Sequence, residues 1–387
     1  MESSINKNES MKKVLMLITK GEIGGAQVFV RDLAIEFKKN DIDITVGIGP
    51  DDNNFLKQEL KEEKIPSVTF YNLSRTLSPF RNFFFVLEIW KYLKDNKFNV
   101  LHLNSSNTLF ATVATLFLRE KPYIVFTHHG LSYLDPNSKK SFQKIIFKLI
   151  FRALLPIVDK NIFVTESNYK TALLSGLVKD GVVIKNGVLI ISQKTKEESI
   201  TFFEKTTSKS LKDSVIIGSV GRLAYPKNYE LLIEVAPKIL ESAPNTKFIL
   251  IGDGPEKEKY LDLIQKNRLK NSFFVLGSIK NASLYLTGFD VFVLPSIYEG
   301  MSLTLIEAMR TGLPIIASAV EGNLETLFDD KNQLFDIENK IELIEKLTDL
   351  VNNISLRKQY GEKNKKTSEN YTVENVAKKY IELFCQG

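Results

Sequence analysis

Short apolar runs alternate with longer amphipathic stretches along this chain. The first set of runs lies at residues 14–18 (VLMLI), 43–48 (DITVGI), 99–103, 123–127 and 161–165. Continuous runs of this kind suit strands buried on both faces, as in a parallel sheet. Between them, residues 26–37, 83–95, 107–118 and 139–155 place apolar side chains at helical spacing. The order is βα repeated, which predicts a parallel sheet with helices on both faces.

Residues 192–213 break the pattern. They are rich in Lys, Glu, Ser and Thr and have no period. The alternation then restarts, with strands at 214–220, 247–251, 273–276, 291–294 and 314–317. Helices are predicted at 228–241 (with Pro237 as a bend), 257–268 and 302–310, the last closed by Gly312 and Pro314. A final helix at 372–384 comes after the second sheet is complete and has no sheet of its own to cover. Two α/β domains are expected, 11–188 and 189–370, followed by a helical segment at 371–387, with the joint within 186–213. No sequence repeat relates the halves.

Composition adds little to this picture. With 387 residues, 43% hydrophobic and 25% charged, the chain is ordinary for a soluble globular protein with two full cores. The net charge of +6 does not argue for nucleic acid, and no nucleic-acid partner is expected. It suits anionic substrates or an anionic membrane surface. Cys385, the single cysteine, cannot close an internal disulfide, and the polar N-terminus lacks the apolar core of a signal peptide. The expected location is therefore cytoplasmic. No apolar stretch is long enough to predict a spanning helix.

Ligands of open α/β sheets bind beyond the C-terminal ends of the strands. The residues there are Gly24 and Gly25, Asn104–Asn107, His128 and His129, Glu166, Arg222, Gly252–Gly254 and Tyr298–Ser302. Glu299 precedes Gly300, which lets backbone approach a ligand, and Ser302 is placed to cap a helix whose free amides would attract an anion. Glu307, early in that helix, can accept from the hydroxyls of a ribose. Glu299 can accept from a sugar hydroxyl and balance developing positive charge. Alone, either glutamate reads as a surface residue; the glycine, the cap and the position after a strand give the pair its weight.

Arg222 and Lys227 lie in GRLAYPKN, Arg222 directly after Gly221 at a strand end. Two cations at one sheet edge suit a diphosphate and can stabilise it as a leaving group without metal. Gly24 and Gly25 form either a tight turn or a phosphate cradle; GEIGGA is not a dinucleotide fingerprint. Of His128 and His129, one is expected to serve the site, whereas His102 reads as a core or supporting residue. Asp41-Ile42-Asp43 has the spacing of some metal-binding pairs but precedes its strand, so no metal and no cofactor is expected. Lys140, Lys144, Lys148 and Arg152 recur every fourth residue among apolar ones. Residues 139–155 read either as a core-facing helix with a solvated basic face or as a contact with an anionic membrane.

GEIGGAQVFVRDLA, THHG, GRLAYPKN, LIGDGPE and EGMSLTLIEAM, in this order, resemble the family 4 glycosyltransferases of GT-B fold, over residues 12–384. The resemblance implies two Rossmann-like domains facing each other across a cleft, with the donor held mostly by the second and the final helix crossing back to the first. It implies sugar transfer from a nucleotide diphospho-sugar, UDP leading, with retention and without metal, to a hydroxyl of a glycan or lipid-linked acceptor. Arg222 and Lys227 would hold the diphosphate, Glu307 the ribose, and Glu299 the transferred sugar. Gly24, Gly25, Gly221, Gly254, Gly300 and the amides of Met301, Ser302 and Leu303 would line the donor. His129 matches the histidine near the reaction centre, and Asn104 and His128 are the acceptor-side candidates. Two positions depart from the family pattern: Leu189 follows Asn186-Gly187-Val188, and Met301-Ser302 stands where Phe-Gly is frequent. GGAQ, HLNSS and THHG most resemble members that build bacterial exopolysaccharide or surface glycans, which would place the enzyme at the inner face of the membrane. A nucleotide-sugar 2-epimerase of the same fold and a non-catalytic sugar-nucleotide-binding subunit are the alternatives.

Overall fold

The computed structural model describes residues 12–22, 24–51, 54–131 and 141–386, apart from the side chains of 141–144. In chain order the elements are β1 (Lys13–Ile18), α1 (Gly25–Lys39), β2 (Asp43–Ile48), α2 (Phe55–Glu62), β3 (Ser67–Thr69), α3 (Pro79–Asp95), β4 (Val100–Leu103), α4 (Ala111–Thr115), β5 (Tyr123–His128), α5 (Ser141–Leu154), β6 (Lys160–Phe163), α6 (Glu166–Leu174) and β7 (Val182–Val183). They continue with α7 (Lys196–Thr207), β8 (Val215–Val220), α8 (Tyr229–Ser242), β9 (Thr246–Ile251), α9 (Lys257–Lys266), β10 (Phe273–Val275), β11 (Val291–Leu294), α10 (Leu303–Thr311), β12 (Ile315–Ser318), α11 (Glu321–Thr326), β13 (Leu334–Phe335), α12 (Lys340–Asn352), α13 (Ile354–Ser368) and α14 (Val373–Phe384). These form two compact units. One runs up to Gly187 and takes back the chain from Val373; the other is Val188–Thr372.

The first unit is a parallel sheet of order β3-β2-β1-β4-β5-β6-β7. Its five inner strands are the apolar runs and are buried on both faces as continuous runs require, whereas the short edge strands β3 and β7 are only partly buried. On one face Phe85, Ile89 and Leu93 of α3 join Ala111 and Ala114 of α4 and Phe151 of α5 over Leu101, Leu103 and Phe126. On the other face α1 and α14 pack together, with Phe37 against Phe384 at 5.4 Å and Phe29 against Tyr380 at 6.1 Å. The last helix covers the first sheet, which is why it has no strand beside it in sequence. Asp43 opens β2 at its N-terminal end, so the Asp41/Asp43 pair sits at the edge away from the loops that follow the strands.

The second unit repeats the plan with order β10-β9-β8-β11-β12-β13, all parallel. Its core sets Ile217, Phe248, Val291 and Val293 of the strands against Leu232 and Val235 of α8, Tyr260 of α9 and Leu343 and Leu347 of α12.

Two expectations change. The polar stretch 192–213 contains α7, whose Thr195 hydroxyl accepts from the Glu198 amide at 3.2 Å while the Glu198 carboxylate accepts from the Thr195 amide at 2.8 Å. This capping box starts a helix held to the unit through buried Phe203, stacked on Phe289 at 5.6 Å. The helix predicted at 107–118 is a 3-10 turn, Ser106–Phe110, followed by the short α4. Thr112 and Thr115 turn their hydroxyls back onto backbone carbonyls three residues earlier, an alternative to helix propagation. The basic stretch 139–155 is described in part. Lys140 and the side chain of Lys144 lie outside the described residues. In the described part Ile145 and Leu149 are exposed, Lys148 is half-buried, and the Arg152 guanidinium donates to the Ser175 carbonyl at 3.4 Å.

Candidate active site

The second unit gathers its candidate residues on three neighbouring loops, after β8, β9 and β11. The first two are sewn together by backbone. The Gly221 amide donates to the Ile251 carbonyl at 3.0 Å, Leu223 to Asp253 at 3.0 Å, and Glu256 to Leu223 at 2.9 Å. Gly252 has φ +154, and a Cβ there would overlap the Gly221 carbonyl. A Cβ on Gly254 would likewise overlap the Leu223 carbonyl, so Gly252 and Gly254 are required for the close approach of these loops. The loop after β8 is also tied to the loop after β11, because the Ile297 amide donates to the Pro226 carbonyl at 2.8 Å.

Across that second junction stands an ion pair. Lys227 Nζ is 2.7 Å from Glu299 Oε1, with both side chains largely buried, and the Ser296 hydroxyl donates to the same oxygen at 2.6 Å. Burial works to lower the Lys227 pKa, but the Glu299 carboxylate and the neighbouring Tyr229 outweigh it, and the net shift is upward. Lys227 is therefore a firm cation at neutral pH. Tyr229 is fully buried beside it; the Ser219 hydroxyl donates to the Tyr229 oxygen at 3.3 Å. Arg222 is exposed on the same loop. A fixed, half-compensated cation with a free-standing guanidinium nearby is an arrangement that accepts an anion.

Ser302 caps α10 as its sequence position implies, its hydroxyl accepting from the Leu305 amide at 3.4 Å. Met301, Ser302 and Leu303 are buried, and the amides of this first turn have no preceding helical carbonyl to bond. Glu307 lies half-buried in the second turn of α10. Gly300 meets Gly322 of α11 backbone to backbone, since a Cβ on Gly322 would overlap the Gly300 carbonyl. Asp253 accepts from the Gly254 amide at 2.7 Å and pairs with Lys257 at 3.0 Å.

The first unit holds a separate group. Gly24 caps α1 in an extended conformation, and a Cβ on Gly25 would point into open space. His129 packs edge-on against Phe29 of α1 at 4.7 Å, and its Nε2 is 3.4 Å from Asn104 Oδ1. Burial depresses the His129 pKa to about 4, so its imidazole is neutral at physiological pH. His128, the other acceptor-side candidate, is placed elsewhere. It stacks on Phe163 at 4.3 Å, with its Nε2 3.1 Å from Asn161 Oδ1, inside the core. Burial pushes its pKa to about 3, against the pull of the Asn161 bond. His128, the last residue of β5, thus lies in the core, whereas His129 follows the strand and is half-buried. His102 is also core, bonded to Thr127 at 2.8 Å, which in turn meets the Tyr380 hydroxyl at 2.8 Å. Among the described residues no three His, Cys, Asp or Glu side chains gather as a metal ligand set.

Comparison with known proteins now has a structure to refer to. Residues 23–189 match the family described as Glycosyltransferase Family 4, and residues 201–367 match the one described as Glycosyl transferases group 1. An Escherichia coli UDP-Gal:alpha-D-GlcNAc-diphosphoundecaprenol alpha-1,3-galactosyltransferase is 30% identical over 294 residues, 72% of this chain and 73% of that protein. The chain belongs to the family 4 glycosyltransferases. A Staphylococcus aureus poly(ribitol-phosphate) alpha-N-acetylglucosaminyltransferase is 27% identical over 76% of this chain and 57% of its own length. The crystal structure of Anabaena HepE in complex with UDP-glucose superposes with a TM-score of 0.81 over 97% of this chain and 100% of that one, at 19% identity. That likeness establishes the GT-B fold.

The structure of this glycosyltransferase adds residues that the sequence reading passed over. Ser296 orients Glu299, and the Ser296 carbonyl is held by the Ser318 hydroxyl. Asn323 donates to the Ser318 carbonyl at 3.0 Å. Gly322 lets α11 close on the Glu299 loop, and Tyr229 walls in Lys227. Their one sequence signal is position: each lies at or just beyond a strand end, or on the helix that follows.

Proposed function

We propose that this glycosyltransferase moves a sugar from a UDP-sugar, with retention at the anomeric carbon, to a hydroxyl of a glycan or lipid-linked acceptor in cell-surface polysaccharide synthesis. The observation that carries the reading is the Lys227–Glu299 pair bridging the β8 and β11 loops beside the capped start of α10. The relatives support the substrate class: one is named for UDP-Gal and a diphosphoundecaprenol-linked acceptor, another for transfer of N-acetylglucosamine to poly(ribitol-phosphate).

In this reading the bond from the anomeric carbon to the diphosphate oxygen breaks, and the acceptor oxygen bonds to that carbon on the same face. The acceptor proton passes to the departing diphosphate. Arg222, Lys227 and the amides of Met301–Leu303 stabilise the charge that develops on the leaving group, with no metal or other cofactor. Glu299 contacts the transferred sugar and Glu307 the ribose. Gly24 and Gly25 leave room for the diphosphate and acceptor. Neutral His129, held by Asn104, contributes a polar contact near the reaction centre. The enzyme works in the cytoplasm, with residues 139–155 against the inner face of an anionic membrane.

A panel of nucleotide-sugars with purified protein tests this reading through slow donor hydrolysis and the anomer released. Hydrolysis of one UDP-sugar to the retained anomer is expected, and its loss in Arg222→Ala and Lys227→Ala. Wild-type rates in both variants, or turnover of donor to an isomer without acceptor, would sink the assignment.

A further inference from the structure

Helix α3 has two apolar faces, and the fold uses one. Phe85, Ile89 and Leu93 enter the core of the first unit. Phe80, Phe83, Phe84 and Leu87, at i, i+3, i+4 and i+7, form a second stripe facing solvent, with 79%, 60%, 53% and 45% of their surface exposed. Scattered exposed apolar residues need no explanation, but a contiguous aromatic stripe does.

Charge along the same stripe says what covers it. One and two turns further on, the same line of the helix carries exposed Lys91 and Lys94, with exposed Arg81 beside its aromatic end. Lys94 lies over the Trp90 ring at 5.1 Å. Glu88 does not offset these cations outward; its carboxylate accepts from the Tyr71 and Asn72 amides at 2.8 and 3.2 Å. The Trp90 indole donates to the carbonyl of Phe117, which is itself 71% exposed, at 3.4 Å, so the stripe continues onto the end of α4. Exposed Ile145 and Leu149 belong to α5, which packs on the same face of the sheet. Aromatic rings with Lys91 and Lys94 in line and Arg81 beside them, against Asp95 in the last turn as the one exposed carboxylate of α3, match a helix lying in the headgroup plane of an anionic bilayer. The core of a protein–protein patch is instead depleted of lysine.

We propose that the outer face of α3 is a membrane-docking surface, its phenylalanines entering the interface and Lys91 and Lys94 meeting anionic headgroups. The proposal places the contact on α3, with exposed Phe117, Ile145 and Leu149 on the same side of the first unit. It does not depend on the donor assignment.

Flotation of the full chain with phosphatidylcholine vesicles, with and without phosphatidylglycerol, tests it. Wild type is expected to float with the anionic vesicles. Phe80→Ser/Phe83→Ser/Phe84→Ser should weaken that binding by about a hundredfold, three rings having lost their apolar contact. Lys91→Glu/Lys94→Glu should remove its salt sensitivity. Unchanged thermal melting and donor hydrolysis in solution would show that the variants are folded. The proposal is overturned if wild type ignores anionic vesicles or if the serine variant floats as wild type does. It is equally overturned if the serine variant converts a dimer to a monomer with no change in flotation, which would make the stripe a protein interface. Release by Lys148→Glu/Arg152→Glu alone would leave the contact at 139–155 standing and remove the one on α3.

Discussion

Lys227 and Glu299 were legible as charges but not as partners. Seventy-odd residues separate them, and only the adjacency of β8 and β11 in the sheet brings them to 2.7 Å. Each holds the other in place, so in the proposed reaction an arriving diphosphate would meet a cation already oriented. Lys227→Ala should lower kcat by about a hundredfold or more, the range seen when a preorganised charge contact is removed. Gly221→Ala is a subtler probe. Its Cβ would stand 2.6 Å from the Tyr229 hydroxyl and 3.3 Å from Lys227 Cε. We expect turnover to fall while the melting temperature drops by only a few degrees, as for a small overpacking change; wild-type kcat in this variant would show that Tyr229 does not position Lys227. The two adjacent histidines show a limit of sequence reading at this scale. Their type was informative, but only the fold shows that His128 lies in the core and His129 beyond the end of β5.

At the scale of elements, the strands and the amphipathic helices were readable because their burial is periodic. What failed was where polar chemistry replaces period. Helix α7 keeps one buried phenylalanine and is started by a capping box, so its sequence reads as linker. The 107–118 segment has helical spacing, but threonine hydroxyls divert its backbone. Helix α12 buries Leu343, Leu347 and Leu350 at helical spacing, yet it follows the last obvious strand and no element was assigned there. The α10 start yields a prediction at this scale. Ser302→Ala removes the cap and should cost about 1 kcal/mol of stability. It should also raise the donor KM if the same turn presents amides to the diphosphate as proposed; calorimetry and initial-rate kinetics on one preparation check both. A stability loss with unchanged KM would leave Ser302 as a cap alone.

At the scale of the whole molecule, acid stability follows from three histidines of the first unit, His102 and His128 buried and His129 half-buried. His102, His128 and His129 have pKa values pushed by burial to about 3, 3 and 4. Once unfolded, each binds a proton below about pH 6.5. Between that pH and about 4 the unfolded chain therefore holds protons that the folded one refuses, and stability falls as pH falls. Asp32 runs the other way: burial raises its pKa to about 6, so over part of the window the folded state holds a proton that the unfolded one has lost. Three groups against one leave a net loss. The melting temperature is expected to decline from pH 6.5 to 4, and His128→Asn should flatten that slope; a flat profile in wild type would contradict the assignment.

Helix α14 makes the first unit discontinuous: its cover is translated only after all of Val188–Thr372. Order of synthesis and order of completion are then reversed. The second unit has every strand it needs as it leaves the ribosome, whereas the first waits with one sheet face covered by α1 alone, open around Phe29, Phe37 and His102. Translation that stops before Val373 would release a chain whose second unit is sound and whose first is sticky. A stop codon at that position should yield protein that aggregates or is degraded, and co-expression of the missing helix as a peptide should rescue part of it. Soluble, normally melting truncated protein would show that the first unit closes without its late-arriving cover.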